Sequence, residues 1–322
     1  MRKKIILINI VIIIFILGII EFLSVNIIEN RYASLAEIQI KNASNPKELR
    51  EILKVKYHKV IKFVYEDRIK YCLTRVYKGN KKGSIVTVGC SYTDGTGLRE
   101  NQTFAYKLNK FTHRTTYNRG IGASGPQLVY RQLSDKNFKN EIPEAEYIIY
   151  TFIYDHFNRL FHDLVAYFNS DLHLKYHLNN KGELTETQRP FWFLYYFYTT
   201  KVISEYKESK LLKQFDKKYS LFLKIMEESV KAMKRNYPNA KFVLLDVPEG
   251  KMCREDYVKG ESELTKDQIK DLEKLGIIYI NAEELVGHQL RDLEKYRIQD
   301  KDHPNERFWD EVVPALAKKL NL

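Results

Sequence analysis

Two short stretches, far apart in the chain, carry the residue types of an acyl-transfer site. Residues 85–88 are all β-branched, and the run ends in Gly-Cys-Ser with Ser91 as its last residue. Near the carboxyl terminus, Asp300 precedes His303 by three positions. A serine hydroxyl is a weak nucleophile at neutral pH, so it needs a base within hydrogen-bond reach, and the base needs an acid that orients its ring. Ser91, His303 and Asp300 are therefore candidates for nucleophile, base and orienting acid.

Each stretch taken alone also fits an ordinary structural role. Gly-x-Ser occurs by chance, and most such serines lie in turns or at helix N-termini. The order of the two stretches favours the catalytic interpretation, together with an Asn-Arg-Gly turn at 118–120 between them. Asp302 is an alternative orienting acid, but as the immediate neighbour of His303 it is less well placed to reach the ring.

Three segments resemble the sequence blocks of the SGNH, or GDSL-type, hydrolases. Residues 89–92, Gly-Cys-Ser-Tyr, resemble the first block, with Cys90 where the family usually has Asp. Residues 118–120 resemble the second block, and 300–303 match its Asp-x-x-His block. The resemblance runs from about residue 84 to the carboxyl terminus, with a long divergent middle. It implies a flavodoxin-like three-layer α/β/α domain that hydrolyses or transfers acyl esters.

The resemblance also implies an oxyanion hole, formed by the backbone N–H groups of Ser91 and Gly120. The family adds an Asn side chain after the third strand, but residues 152–155 read Phe-Ile-Tyr-Asp, which puts Tyr154 at the Asn position. We expect the Tyr154 hydroxyl or the Asn158 amide to replace the missing donor, or the activity to be low. Loss of one such donor costs about 2.7–4 kcal/mol in the transition state. The predicted oxyanion and substrate-binding residues are Gly120, Asn118, Tyr154, Asp155 and Asn158.

Cysteine and histidine spacings predict no metal site. The three cysteines are too few and too scattered for a disulfide framework or a zinc site, and Cys90 fits a small packed side chain. His173 and His177 could share a helix face, but no third ligand lies nearby. Gly-x-Gly-x-x-Gly at 120–125 mimics a dinucleotide fingerprint without the acid that should end a second strand. We therefore expect no metal and no cofactor.

Strands that alternate with helical patterns predict an α/β domain with a parallel sheet and helices on both faces. The predicted strands are 85–88, 115–118, 145–154, 241–247 and 277–280, and the predicted helices are 102–109, 127–133, 201–235 and 308–320. Sites in open parallel sheets form at the carboxyl ends of strands. Ser91, Gly120, Asp155 and Glu249 all follow such ends.

The middle of this domain is predicted to be interrupted by a helical insertion at about 160–236. Its centre is an aromatic run, residues 191–198. We favour a helix packed on the domain, and the alternative is an aromatic wall for a sugar or lipid substrate.

The amino-terminal segment has the composition of a signal anchor. A cationic cap of four residues precedes an apolar stretch that runs from 5 to about 25, near the ~20 residues that cross a bilayer. Basic residues before it predict a cytoplasmic amino terminus and an extracytoplasmic catalytic domain, so we expect a single-pass protein of the cell membrane. A cleaved signal peptide is the alternative. The predicted division is a cap and transmembrane anchor at 1–28, a stalk or amino-terminal extension at 29–82, and the hydrolase-like domain at 83–322.

The charge balance points to an anionic neighbour. The 322 residues include 53 Lys and Arg against 41 Asp and Glu, a net charge of +12. This favours a membrane surface or an acidic polymer, and no nucleic-acid-binding motif accompanies the charge. We expect a serine esterase that acts on O-acyl esters of a cell-surface glycan or lipid, and among these we favour O-acetyl esters. The alternatives are an O-acyltransferase to an envelope polysaccharide and a catalytically inactive glycan-binding or assembly protein.

Overall fold

The structure is a computed structural model of the chain, and it describes residues 18–20, 75–122, 124–160, 176–186, 215–249 and 264–322. The chain divides into two units, and the elements below belong to the unit formed by 56–187 and 214–322. The other unit, 1–55 with 188–213, contributes the helical residues 18–20 to the described part.

Within the described residues, eight strands form two sheets. They are β1 Arg75–Tyr77, β2 Lys81–Gly89, β3 Arg114–Gly120, β4 Ala145–Phe152, β5 Tyr176–Leu178, β6 Leu184–Glu186, β7 Lys241–Asp246 and β8 Ile277–Asn281. The main sheet has the order β1-β3-β2-β4-β7-β8, and every neighbouring pair is parallel except β1 with β3. Without β1 this is the order of the flavodoxin-like sheet, in which the first strand lies between the second and third. The predicted α/β class with a parallel sheet is confirmed.

The edge strand β1 lies before the predicted start of the domain at residue 83. It pairs antiparallel with β3, in a register that sets Arg75 opposite Asn118. Tyr77 is buried and packs edge-on against Tyr106, while Val76 faces outward. This alternation is what a half-buried edge strand requires. The sheet therefore includes residues that the sequence interpretation assigned to the extension.

Helices cover both faces of the main sheet. They are α1 Ser91–Asp94, α2 Phe104–Thr112, α3 Pro126–Ser134, α4 Phe138–Glu141, α5 His156–Arg159, α6 Phe215–Asn236, α7 Lys266–Lys274, α8 Ala282–Val286, α9 Leu293–Tyr296 and α10 Glu306–Leu320. One core joins the sheet to α3, α6 and α7, and the other joins it to α2, α8 and α10. In β4 the side chains of Ile148 and Tyr150 enter the first core, and those of Tyr147 and Ile149 enter the second. Burial on both faces explains why this strand is a continuous apolar run.

Part of the predicted insertion is described and part is not. Strands β5 and β6 form a separate antiparallel hairpin within it, which the sequence interpretation did not predict. The predicted helix at 201–235 is described from Phe215 to Asn236. The aromatic run 191–198 lies outside the described residues, as does the apolar stretch 5–25 except for 18–20. Within the described ranges, no helix has both the length and the apolar composition that a bilayer crossing needs.

Candidate active site

A sharp turn at the end of β2 presents Ser91. Gly89 has a φ of 140°, and a Cβ there would lie 2.4 Å from Thr93 Oγ1 and 2.9 Å from the Thr151 carbonyl oxygen. Glycine is thus required by both the backbone conformation and the close approach of α1 and β4. Cys90 follows as the N-cap residue of α1, and Ser91 is the first helical residue, with 8% of its surface exposed.

The Gly89 carbonyl ties this turn to the loop after β3. It accepts a hydrogen bond from the Ile121 N–H at 2.8 Å and another from the Ser124 hydroxyl at 3.0 Å. Because these bonds converge on one carbonyl, the loops that follow two adjacent parallel strands are held together at the carboxyl edge of the sheet. The position of Ser91 is fixed from outside its own helix.

A second loop, between α9 and α10, carries Asp300 and His303. A bridge between Arg297 and Pro304 closes its base, and the Ile298 N–H donates to the His303 carbonyl at 2.9 Å. The Asn305 side chain then caps α10 by accepting from the Phe308 N–H at 3.1 Å. The helix therefore begins after the histidine, as Pro304 predicts, since a residue before proline avoids the helical conformation.

The two loops bring the predicted nucleophile, base and acid into one hydrogen-bonded row. Ser91 Oγ lies 2.9 Å from His303 Nε2, and His303 Nδ1 lies 2.5 Å from Asp300 Oδ2. The other Asp300 oxygen, Oδ1, accepts the backbone N–H groups of Asp302 at 2.8 Å and of His303 at 3.0 Å. The Asp302 carboxylate lies 4.0 Å from Nδ1. Asp300, rather than Asp302, therefore orients the ring.

Burial and charge set the ionisation of this row. Burial opposes protonation of His303, but the hydrogen bond and negative charge of Asp300, with the charge of Asp302, outweigh it and raise the pKa of His303. Burial by itself would raise the pKa of Asp300. Its hydrogen bonds to the His303 ring and to the two backbone N–H groups outweigh burial and hold the pKa of Asp300 below its ordinary value. Asp300 is thus an anion at neutral pH, and it accepts a hydrogen bond from the Nδ1–H of His303. That tautomer leaves the Nε2 lone pair directed at Ser91.

Tyr92 links the serine turn to the histidine loop. Its hydroxyl donates to the Asp302 carbonyl at 2.8 Å, and its ring centroid lies 5.6 Å from that of His303. The side chain is almost completely buried. Sequence reasoning did not assign it a role, although its position next to the nucleophile was a signal.

The predicted oxyanion residues of the second block have other contacts. The Gly120 N–H donates to Asn118 Oδ1 at 3.0 Å, and Asn118 Nδ2 lies 3.5 Å from the Asp94 carbonyl oxygen. A Cβ on Gly120 would lie 2.3 Å from the backbone nitrogen of Asp94. Gly120 therefore allows α1 to pack closely on β3, and its amide is engaged by a neighbouring side chain. This differs from the prediction that it donates to an oxyanion.

The residues after β4 form a polar cluster. Asp155 accepts from Arg159 Nε at 2.6 Å and from Asn158 Nδ2 at 3.2 Å, and its backbone N–H donates to Glu249. The side-chain oxygen of Asn158, Oδ1, accepts a hydrogen bond from Lys218 Nζ at 3.0 Å. The amide of Asn158 thus has partners on both of its polar atoms, and the structure does not bring it to Ser91.

Tyr154, the residue at the family's Asn position, is buried in the core. Its ring packs edge-on against Phe157, with centroids 5.0 Å apart. The neighbouring His156 is completely buried, and its Nδ1 lies 2.6 Å from the Tyr150 hydroxyl oxygen. Burial, reinforced by the charge of Arg159, lowers the pKa of His156 well below its ordinary value. His156 is therefore a neutral core residue.

Arg159 is a residue that sequence reasoning missed. It is buried, donates from Nη1 to the Ser124 carbonyl at 3.0 Å, and its positive charge acts on the Cys90 thiol. Burial raises the pKa of the Cys90 thiol despite this nearby positive charge, so Cys90 is a protonated, packed side chain. The available signal was the spacing Asp155-x-x-x-Arg159, which pairs opposite charges one helical turn apart.

The described residues contain no group of three or more His, Cys, Asp or Glu side chains arranged to hold a metal ion. His177 lies in β5, and His173 is outside the described ranges.

No family model matches the sequence. No curated protein matches it either. A protein of the G-D-S-L lipolytic family from Desulfitobacterium hafniense DCB-2 is similar in structure, with 10% identity over 74% of this chain and 99% of its own, and a TM-score of 0.40. A lipase from a goat rumen metagenome has 13% identity over 74% of this chain and 97% of its own, with a TM-score of 0.41. An acetyl xylan esterase from the rumen bacterium Butyrivibrio proteoclasticus has 10% identity over 75% of this chain and 65% of its own, with a TM-score of 0.42. These similarities are too weak to carry an argument. The fold is therefore assigned from the strand order of this chain, and the site from the distances between its own residues.

Proposed function

We propose that the chain is a serine ester hydrolase that works through an acyl-enzyme intermediate. The observation that carries this proposal is the hydrogen-bonded row in which Ser91 Oγ lies 2.9 Å from His303 Nε2 and His303 Nδ1 lies 2.5 Å from Asp300. A hydroxyl, an imidazole and a carboxylate in this order activate a weak nucleophile. Their convergence from loops more than 200 positions apart favours chemistry over a surface role for the histidine.

In the first half-reaction Ser91 Oγ attacks the ester carbonyl carbon. Its proton passes to His303 Nε2, and Asp300 stabilises the resulting imidazolium across Nδ1. The carbonyl π electrons move to the oxygen, which becomes an oxyanion. When the carbonyl re-forms, the alcohol leaves with the proton from Nε2, and the acyl group remains on Ser91.

In the second half-reaction water replaces the alcohol. His303 removes a proton from that water, which attacks the acyl-enzyme, and then returns the proton to Ser91 as the acid is released. His303 accepts a proton only when it is neutral. Because the pKa of His303 is raised above the ordinary 6.5, we expect kcat/KM to drop as the pH is lowered, with the midpoint of this acidic limb above pH 6.5.

We base the location and the substrate class of this enzyme on its sequence. The apolar stretch 5–25 behind a cationic cap supports a single-pass anchor in the cell membrane with the site outside. The net charge of +12 supports an anionic surface as the working environment. We therefore propose O-acyl, chiefly O-acetyl, esters of a cell-surface glycan or lipid as substrates.

The test is labelling by a fluorophosphonate probe together with acetate release from p-nitrophenyl acetate. We expect the probe to modify Ser91, and Ser91→Ala to abolish both labelling and turnover, with a loss on the order of 10⁶ in kcat. Ser220→Ala is the matched control, because Ser220 lies exposed on α6 and its hydroxyl donates to the Asp216 carbonyl of the same helix. Turnover that survives Ser91→Ala would refute the nucleophile assignment.

A second measurement separates hydrolysis from transfer. An O-acylated donor is incubated with an acceptor glycan, and free acetate is measured against acetylated sugar. Release of free acetate as the main product supports the hydrolase. Acetylated sugar as the main product would assign the same site to an acyltransferase. Glycan binding without turnover, unchanged by His303→Ala, would assign the chain to the non-catalytic class.

A further inference from the structure

A buried arginine lies beside the residue that precedes the nucleophile. Arg159 ends the short helix α5, and 7% of its surface is exposed. Its Nε donates to Asp155 Oδ2 at 2.6 Å, and its Nη1 donates to the Ser124 carbonyl at 3.0 Å. These bonds come from two different segments of the chain, so the plane of the guanidinium is fixed.

The same bonds connect Arg159 to the serine turn. Ser124, whose carbonyl Arg159 holds, donates its hydroxyl to the Gly89 carbonyl at 3.0 Å. Cys90, the residue after Gly89, is completely buried, and the positive charge of Arg159 opposes the rise in the pKa of its thiol that burial causes. Arg159 is therefore tied, through Ser124 and the Gly89 carbonyl, to the turn that presents Ser91.

Two of the predicted oxyanion donors are engaged elsewhere, so a further stabilising charge is needed beside the Ser91 N–H. The Gly120 N–H is bonded to the Asn118 side chain, and both polar atoms of Asn158 have partners in the Asp155–Lys218 cluster. An ester attacked by a serine develops a full negative charge on its carbonyl oxygen, and groups fixed in advance around that oxygen account for much of the rate.

Building on the proposed function, we propose that Arg159 stabilises the oxyanion that forms when Ser91 attacks the ester, in the role that the family assigns to an asparagine amide. The Ser91–carbon bond forms, the proton goes to His303, and the carbonyl electron pair moves onto the oxygen beside the guanidinium. Nothing is transferred to Arg159, which acts by its charge. A charge that is buried and already oriented acts through a lower dielectric than water and needs no reorganisation during the reaction.

The ion pair with Asp155 leaves the guanidinium of Arg159 charged. Arg159 acts as a cation on both Cys90 and His303, and it opposes protonation of each. The charged groups that act on His303 are Asp300 and Asp302 from its own loop and Arg159 from α5, while Tyr92 packs against its ring from α1. The Asp155 carboxylate instead fixes the guanidinium in place.

The test compares Arg159→Gln with Asp155→Asn, because both remove the same ion pair and only the first removes the cation. For Arg159→Gln we expect kcat for p-nitrophenyl acetate to fall on the order of 10²–10³-fold with little change in KM. The acidic limb of kcat/KM should move to higher pH, since a positive charge that opposed protonation of His303 is gone. For Asp155→Asn we expect a smaller loss of kcat and no upward movement of the limb.

Two further variants guard against misfolding. Arg159→Met fills the same buried space with an unbranched apolar chain, and it replaces Arg159→Gln if that protein unfolds. Arg159→Lys keeps the charge, so the limb should stay at its wild-type position. Its kcat should still fall, because an ammonium lacks the planar fork of donors that fixes the charge between Asp155 and Ser124. Circular dichroism and thermal unfolding establish that each variant is folded.

The outcomes distinguish this inference from the proposed function. A wild-type protein that neither turns over p-nitrophenyl acetate nor reacts with a fluorophosphonate at Ser91 overturns both. An active wild type with equal losses in Arg159→Gln and Asp155→Asn, and with the limb unmoved, would mean that Arg159 is only structural. An active wild type with wild-type kcat in Arg159→Gln or Arg159→Met would equally overturn the inference and leave the proposed function standing.

Discussion

The two sides of the Ser91 site differ in how directly the sequence encodes them. On one side, His303 and Asp300 form the hydrogen bonds that their spacing predicts. On the other side, Gly120 and Asn118 bond to each other, and Asn158 holds Lys218. The proton-transfer side is a row of side chains, whereas the oxyanion side depends on where backbone N–H groups and a buried cation point.

The difference follows from what holds each side in place. The histidine loop is closed locally, by the Arg297–Pro304 bridge and by the Asn305 cap, so a short motif carries most of its geometry. The oxyanion side is assembled from the ends of β3 and β4 and from α6, which are remote in sequence. A short motif cannot specify the direction of an amide whose partners lie in other elements.

The largest expected loss of kcat tests the proton-transfer side of the site, by asking which aspartate orients His303. Asp300→Asn should reduce kcat on the order of 10⁴-fold, because an amide in place of the carboxylate destabilises the productive tautomer and the imidazolium. Asp302→Asn, the matched variant two positions away, should reduce it far less, since that carboxylate lies 4.0 Å from Nδ1. The kinetic parameters of both variants with p-nitrophenyl acetate check this ranking.

The pH profile supplies an independent check on the same pair. Asp300 raises the pKa of His303 through its hydrogen bond and its charge. Removing that charge should therefore move the acidic limb of the residual kcat/KM to lower pH, the opposite direction from Arg159→Gln. Equal losses in the two aspartate variants, or a limb that moves to higher pH in Asp300→Asn, would contradict the assignment.

Several features of the fold were readable in the sequence because they depend on local patterns. The β-branched run of β2 and the apolar run of β4 predicted buried parallel strands, and Pro304 predicted that α10 begins after His303. Edge strand β1 was not predicted, because three residues of alternating burial are too short to stand out. Arg159 was not predicted because its partners, Ser124 and Cys90, belong to different loops and only the fold brings them together.

A smaller expected effect tests the oxyanion side through Gly120. A Cβ at this position would lie 2.3 Å from the Asp94 backbone nitrogen and 2.6 Å from the Thr93 carbonyl carbon. Backbone atoms cannot move aside cheaply, so Gly120→Ala should lower the free energy of unfolding by about 1–3 kcal/mol, the usual cost of overpacking. Denaturant unfolding of the variant and the wild type measures the difference. If Gly120 served only through its N–H, alanine would keep that group, and the two proteins would unfold at the same denaturant concentration.

The smallest expected catalytic effect belongs to Asn158, which the sequence interpretation offered as the missing oxyanion amide. Its side-chain Oδ1 accepts a hydrogen bond from Lys218, which is 5% exposed, and its Nδ2 donates to Asp155. Asn158→Ala should therefore destabilise the fold by about 1–3 kcal/mol, because the buried Lys218 loses a half-buried acceptor. The change in kcat should be well below the 10²–10³-fold of a lost oxyanion donor. A double-mutant cycle with Lys218→Met isolates the pair, and a coupling of about 0.5–3 kcal/mol in stability is expected for groups in one hydrogen-bonded network. A large fall in kcat without loss of stability would instead identify Asn158 as an oxyanion donor. The oxyanion side would then follow the sequence as closely as the proton-transfer side does, and the contrast between the two sides would no longer hold.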